Sequence, residues 1–600
     1  MNCDTTGSVD GVDRRSVLAA GAAGLSLSLS GCIDTVRSVV TDDSDDQLSL
    51  SIVTVPADSN RESVRIARHL ESNLEAVGVD VTLSMRSATD FLEMILIDRD
   101  FDLYVGRHPA DFDPDFLYEA LHSTYADEAG WQNPFGYSNP YFFDPLLEAQ
   151  RRADGDERLE KLEPVLNGLA EEKPFDPICR PTEYRLAGDR FDGWDDDHLA
   201  TRRGYLGLEP DDDVDRLNAL VTDARPSRNV NPLSATIRER GTIVNLLYDS
   251  LGTIVASEDE DGFEVEKWLA ESWEWDTSSD DEKTTATIRL REDCTFHGED
   301  EVPVTAEDVK FTYRFLEDTA LTHSDTPSPA PRYRGHASAI DRIETDADDE
   351  QWLRITFNAG EAVSKRALTA PILPRHVWLE ELDDRIDNRQ DFSAPQGRWG
   401  LVVTDSVPPI GSGPYQFGSQ SERSHLTLER FDDHFTLDED VDLPGPTVDE
   451  LRFTVDPGSS SSIAQVESDN ADLTSSMLGA HSLGDISDDT TAELIDDPSW
   501  TFYHVGFNTR TAPCNDPRFR RAVTQLIDKE WIVQEIFFED HATPLSTPVA
   551  DEWVPDSLEW DGADPVTPFV GTEGTLNVEA ARAAFEAENF RYDDNGRLLK

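Results

Sequence analysis

From Leu48 onward the apolar and polar positions follow two periods in turn. Residues 51–55 are a short apolar run, Ser59-Asn60 offers a side-chain cap, and Val64, Ala67, Leu70, Leu74 and Val77 then recur every three or four residues up to Gly78. That spacing lays one apolar stripe along a helix that the glycine ends. Residues 79–85 alternate with period two, and residues 101–105 form another apolar strand. Strand, helix and strand in this order require a crossover connection, which predicts parallel strands with helices packed on the sheet: an α/β fold.

The same two periods continue. Residues 154–170 read as a charged amphipathic helix with Leu159, Leu162, Leu166 and Leu169 on one face, and residues 209–215 as an acidic, Pro-containing linker. Residues 288–291, 352–357, 426–430 and 448–455 are strand-like. Thr305-Ala306-Glu307-Asp308 opens a helix with capping-box character, and residues 516–527 and 577–588 are two further helices. No repeat of solenoid period is evident.

Charge changes the picture. The chain carries 122 acidic against 52 basic residues, a formal net charge of −70, which argues strongly against nucleic acid as a partner because phosphates would be repelled. Such acidity fits either a disordered acidic chain or a folded protein of concentrated salt. With hydrophobic residues at 38% there is material for a core, and only 8 of the 52 basic residues are Lys. A Lys-poor, acid-rich folded chain resembles proteins of extreme halophiles, whose surface charges are screened within about 3 Å at about 1 M salt.

The first 32 residues read as an address. Arg14-Arg15 is a twin-arginine pair, and the apolar, small-residue run 17–30 is shorter than the roughly 20 residues that span a bilayer. It closes on Leu29-Ser30-Gly31-Cys32, a lipobox-like sequence in which the Cys32 thiol takes lipid; the alternative is an unlipidated signal peptide. Residues 33–47 then form an acidic tether. Cys179, Cys294 and Cys514 are far apart, and without a CxxC, an HExxH or a Cys/His cluster no metal site or disulfide framework is expected.

Several segments coincide with one family. Leu269-Ala270-Glu271-Ser272-Trp273-Glu274-Trp275 resembles the "LA-x-SWE" stretch of the family-5 extracellular solute-binding proteins, the dipeptide, oligopeptide and nickel receptors of ABC importers. Phe296-His297-Gly298, then Pro303-Val304-Thr305-Ala306-Glu307-Asp308-Val309, resembles its "FHDG-x-P-(L/V)-TAEDV" signature, with an insertion between the two parts. Gly411-Ser412-Gly413-Pro414-Tyr415 is similar to "GTGPY", and Asn508 with Asp516-Pro517-Arg518-Phe519-Arg520 to "N-x-x-x-PPF-x-D-x-RVR". Residues 48–209 resemble the same family's C-terminal third: residues 100–105 its "DFDL" strand, Tyr137-Ser138-Asn139-Pro140 its "YSNP", and residues 174–180 its closing "P-x-x-P".

The end of the family thus precedes its beginning, which reads as a circular permutation; a fusion of two gene fragments, or truncation at 600, is the alternative. The resemblance implies a two-lobed, periplasmic-binding-protein-like (type II) clamshell with a hinge. Residues 48–183 and 505–600 would form one lobe, and 184–504, containing the 209–215 linker at the permutation joint, the other.

The resemblance also implies the chemistry. A buried acid holds a peptide's α-ammonium, and Asp111 or Asp113, in the loop after strand 101–105, stands where relatives carry it. Arg107 or Arg510 is a candidate for a peptide carboxylate by bidentate pairing, Asn508 for ligand backbone, and His108 for a metal complex in a nickel-type reading. A monomer without cofactor is expected, delivering peptide to permease subunits at the extracellular face of the membrane. Binding of nickel or another non-peptide solute, and a non-transport sensor, are the alternatives. Without GxSxG, a metal-ligand pair or a distinguishable pair of catalytic acids, an enzyme is not expected.

Overall fold

The computed structural model describes residues 46–194, 197–236, 242–256, 263–277, 283–387, 399–539 and 541–600. Arg14, Arg15, Cys32 and the tether up to residue 45 lie outside the described residues. No helix among the described residues is long and apolar enough to cross a membrane.

The first strand-helix-strand unit forms as its periodicity dictates. Strand β1 (Ser49–Thr54) leads to helix α1 (Arg61–Ala76), whose cap Asn60 accepts the Ser63 N–H at 2.7 Å. Val64, Ala67, Leu70 and Leu74 are buried, and Gly78, at φ +96°, turns the chain into β2 (Asp80–Met85), parallel to β1 from Ser49↔Asp80 to Thr54↔Met85. Strand β3 (Leu103–His108) pairs parallel to β1. It starts later than the apolar run because the Asp102 carboxylate accepts both the Ser51 N–H and the Ser51 hydroxyl, each at 2.8 Å. Helices α2 (Phe116–Leu121), α3 (Asp144–Arg152) and α4 (Gly155–Glu172) follow. On α4 the buried stripe is Leu162, Val165, Leu166 and Leu169, and the expected Leu159 is exposed. The 13-residue strand β4 (Phe175–Ala187) comes next.

Within 209–215, Glu209–Pro210 pairs with Phe191–Asp192, and an exposed turn leads into β5 (Arg216–Val221). Strands β6 (Ala270–Asp276) and β7 (Thr285–Leu290) are followed by α5 (Ala306–Glu317). The α5 capping box is present, with the Thr305 N–H donating to the Asp308 carboxylate at 3.0 Å. Helix α6 (Arg334–Ser338), strands β8 (Ile340–Asp346) and β9 (Asp349–Phe357), and helix α7 (Glu361–Ala367) complete a sub-structure with a four-stranded sheet in the order β6-β7-β9-β8. Strands β10 (Tyr415–Ser421), β11 (His425–Arg430), β12 (Glu450–Val455), β13 (Leu473–Thr474), β14 (Glu493–Pro498) and β15 (Phe502–Phe507) return the chain to the first half. Helices α8 (Pro517–Thr524) and α9 (Lys529–Ile536), strand β16 (Ala542–Pro544) and helix α10 (Val578–Ala587) finish it.

One 12-stranded sheet runs β10-β11-β12-β5-β13-β4-β15-β3-β1-β2, with β14 and β16 also paired to β4. Strand β4 joins its halves. Its first part, Phe175 to Pro181, pairs with β15 and β16, and its last part, Thr182 to Ala187, with β14 and β13. The chain crosses back at Ser499-Trp500-Thr501, between β14 and β15. A buried network fixes this crossing: Arg185 pairs with Glu183 at 2.5 Å and with Asp497 at 3.0 Å, and the Ser499 hydroxyl donates to Glu183 at 2.6 Å.

Candidate functional site

A cleft of about 1230 Å³, counted to its open mouth, lies between the two halves. One wall comes from the loop after β3 and from α2, with Asp111, Phe116 and Glu119; the other carries Thr201, Arg202, Ser250 and, on α7, Arg366. Trp500, in the crossing segment, also lines it, 4.8 Å from the Phe263 ring and 6.2 Å from the Phe112 ring by centroids.

Charged groups cluster where the α7 wall meets the loop after β3 and α2. The Arg366 side chain, 4% exposed, donates from Nε to Asp111 Oδ2 at 2.7 Å and approaches Asp115 at 3.6 Å and Glu119 at 3.9 Å. Asp111 Oδ1 accepts the Phe112 N–H at 2.8 Å, so both oxygens of that carboxylate are engaged. Burial raises the Glu119 carboxyl above its ordinary value, and the Arg366 charge and the Gly335 N–H at 3.0 Å offset this only in part. Burial likewise raises Asp115 against the pull of Arg151 and Arg366. Burial depresses Arg366, yet Asp111, Asp115 and Glu119 together carry its guanidinium above the usual range.

His108 sits at the end of β3 on the cleft side, its ring stacked on Phe502 at 5.3 Å and edge-on to Trp131 at 5.4 Å. Burial in this aromatic box pushes its imidazole down to about 3, and neither ring nitrogen has a hydrogen-bond partner. Among the described residues no group of three or more His, Cys, Asp or Glu is arranged to hold a metal ion.

Of the residues singled out in the sequence, Asp111 and His108 therefore line the cleft, and the other four do not. Asp113 lies behind the wall, held by Arg158 through two hydrogen bonds of 2.8 and 2.5 Å. Burial would raise its carboxyl, and Arg158 and then Arg366 bring it below the ordinary value. Arg107 neighbours His108 on a strand, and period two turns it to the opposite face, where it pairs in register with Tyr503. Asn508 donates to the carbonyls of Arg99 and Phe101 at 3.2 and 2.9 Å. Arg510 donates to those of Ala126 and Pro134 at 2.7 and 3.1 Å, and burial, with Arg99 nearby, lowers its guanidinium to about 9. Asn508 and Arg510 staple loops within one half.

A family model of bacterial extracellular solute-binding proteins, family 5 (middle region), matches residues 264–599, more than half of the chain. The chain belongs to the family-5 extracellular solute-binding proteins. Family 5 is a family of binding proteins. This member is 22% identical over 261 residues to the oligopeptide-binding protein AppA of Bacillus subtilis, covering 42% of this chain and 41% of AppA. It is 27% identical over 219 residues to a probable peptide-binding protein, YejA, of Agrobacterium fabrum, covering 36% of this chain and 30% of that protein. The matched stretches thus span less than half the length of these curated relatives. Among solved structures it is similar to AppA from Bacillus subtilis in complex with a nonapeptide (18% identity, TM-score 0.42, 64% of this chain and 66% of that one). It is also similar to NikZ from Campylobacter jejuni in complex with Ni(L-His) (17% identity, TM-score 0.39, 64% of each).

Four cleft residues of this family-5 protein escaped the sequence reading: Arg202, Arg366, Glu119 and His336. Arg202 is 2% exposed; its Nη2 donates to the Tyr248 carbonyl at 2.9 Å, and its guanidinium lies 4.8 Å from the Trp268 ring centre. Its Nη1 faces Asp249 at 3.6 Å without a hydrogen bond, and burial, partly offset by Asp249, lowers it to about 10. Asp249 is itself held by the Trp268 indole N–H at 2.6 Å. The only local signal was the basic run Arg202-Arg203 in an acidic chain.

Proposed function

We propose that this chain is an extracytoplasmic receptor that binds a peptide between its halves and delivers it to the membrane subunits of an ABC importer. The observation that carries this reading is the cleft itself, lined from both halves and placed where β4 and Ser499-Trp500-Thr501 join them. A ligand touching both walls stabilises the closed arrangement over the open one by the contacts it gains from the second wall. The relatives named for oligopeptide and peptide binding support a peptide as the solute. In this reading residues 48–183 and 505–600 move as one lobe and 184–504 as the other, and the receptor acts as a monomer.

The same proposal includes export through Arg14-Arg15, a lipid anchor at Cys32, and a working environment of concentrated salt, supported by the net charge of −70 and the scarcity of Lys. It also includes a permuted chain order. The motif order supports this, as does the meeting of the C-terminal segment with the start of β1: the Leu48 N–H donates to the Leu598 carbonyl at 2.7 Å and the Lys600 N–H to the Asp46 carbonyl at 3.1 Å.

The test is the melting temperature of the mature domain in concentrated KCl against di-, tri- and longer peptides, nickel and sugars. A ligand at 100 times its Kd adds about 2.7 kcal/mol, so peptides raise the melting temperature visibly. A rise with nickel or a sugar and none with any peptide rejects the peptide assignment.

A further inference from the structure

We infer that the cleft selects solutes through an anionic group held at Arg202, and does not require a free amine. The inference rests on the cleft being the binding site and refines which peptides it takes. The acid offered for an amine is already neutralised: Asp111 has one oxygen on the Arg366 guanidinium of the opposite wall at 2.7 Å and the other on the Phe112 N–H at 2.8 Å. Asp113 is sealed under Arg158. Glu119 accepts the Gly335 N–H and shares Arg366.

The charge of the lining runs against the chain. Asp and Glu are 122 of the 600 residues, so 23 residues drawn at that rate would hold about five acids; the lining has Asp111 and Glu119. Three arginines, Arg202, Arg332 and Arg366, face them. With His108 and His336 held neutral, the lining carries a positive balance inside a protein of net charge −70. Arg366 is committed to carboxylates. Arg202 faces one buried acid, Asp249, at 3.6 Å, and its Nη1 makes no hydrogen bond; its Nη2 reaches the Ser250 hydroxyl at 3.3 Å. A guanidinium nitrogen removed from water without a hydrogen bond is costly, and a solute carboxylate supplies that bond in the charge-assisted geometry Arg favours. Low local dielectric preserves this preference in salt that screens the surface.

Three probes separate the ends of a peptide: trialanine, N-acetyl-trialanine and trialanine amide, titrated calorimetrically into the mature full-length domain in concentrated KCl. N-acetyl-trialanine is expected to bind within about threefold of trialanine, and the amide at least tenfold more weakly. Arg202→Met is expected to erase the difference between acid and amide, and Arg202→Lys, which keeps the charge, to retain part of it. Equal affinity for acid and amide, or a tenfold loss on N-acetylation, overturns the inference. If none of the three binds, the peptide reading falls, and the anion preference is read instead from glutarate and 1,5-diaminopentane. A rise in melting temperature with glutarate alone upholds it; no rise with glutarate, or a rise with the diamine, overturns it.

Discussion

Arg366 Nε stands 2.7 Å from Asp111 Oδ2, joining the α7 wall of the cleft to the loop after β3. The guanidinium also lies 3.6 Å from Asp115 and 3.9 Å from Glu119, so one residue of one half faces three acids of the other. Breaking a buried pair from one side leaves uncompensated charge. Arg366→Met is therefore expected to cost about 3–5 kcal/mol in denaturant unfolding, and Asp111→Asn, whose carboxylate is 18% exposed, markedly less. Equal, small effects from both substitutions would show that the wall-to-wall pair does not contribute to stability.

A second buried network joins Lys173 and Lys529 to Asp176 and Asp564, with contacts of 2.7, 3.1, 2.7 and 3.4 Å. Two of the eight lysines of the chain are thus fully buried in one place. Burial depresses Lys529, but its two aspartates raise it above the ordinary value. Lys529→Met is expected to lose about 3–5 kcal/mol. The double variant Lys529→Met/Asp564→Asn should recover part of that loss, because it removes a charge of each sign. Additive losses in the double variant would contradict the coupling.

Stability is expected to fall as pH drops below about 6.5. In the unfolded chain a histidine binds its proton near that value, whereas burial holds His108 to about 3 and His297 to about 4 when folded. Between those values the unfolded state binds more protons, so the stability present above 6.5 is lost toward the folded values, at up to about 1.4 kcal/mol per pH unit for each group. The depressed carboxylates Asp113 and Asp249 enter only at lower pH, near the ordinary aspartate range. Denaturant midpoints at pH 7.5, 6 and 5 check this: His108→Leu should flatten the slope, and an unchanged slope would remove His108 from the account.

The proposed permutation makes a prediction of its own. Joining Lys600 to Asp46 through a short linker and opening the chain between Asp211 and Asp213, in an exposed turn, gives the order that the proposal assigns to the family. The rejoined domain is expected to melt cooperatively and close to the natural one, since permutation is tolerated where termini meet and the cut is exposed. Failure to fold would contradict the permutation reading.

Local features of the fold were legible in the sequence because they depend on neighbours in the chain. Asn60, Thr305 with Asp308, Asp516 and Asn577 all cap the helices that their positions announce. Strand limits were less legible where a side chain from elsewhere decides them, as Asp102 does for β3. At the site, the loop after β3 was found, but not which acid faces the cleft. That depends on Arg158 and Arg366, which lie 45 and 255 residues away from their acids. Arg107 and Arg510 lie outside the cleft lining: strand alternation turns the first away, and loop carbonyls take up the second. Glu119 carries no local mark among so many charges, and Arg202 only its neighbour Arg203.

The most direct test of the account is a calorimetric titration of tripeptides into the protein in concentrated KCl, beside an Ile254→Trp variant that fills the cleft. The account predicts saturable one-to-one binding to the natural domain and loss of that binding in the variant, with both folded. No heat from the natural domain with any peptide, or undiminished binding to the filled cleft, would contradict it.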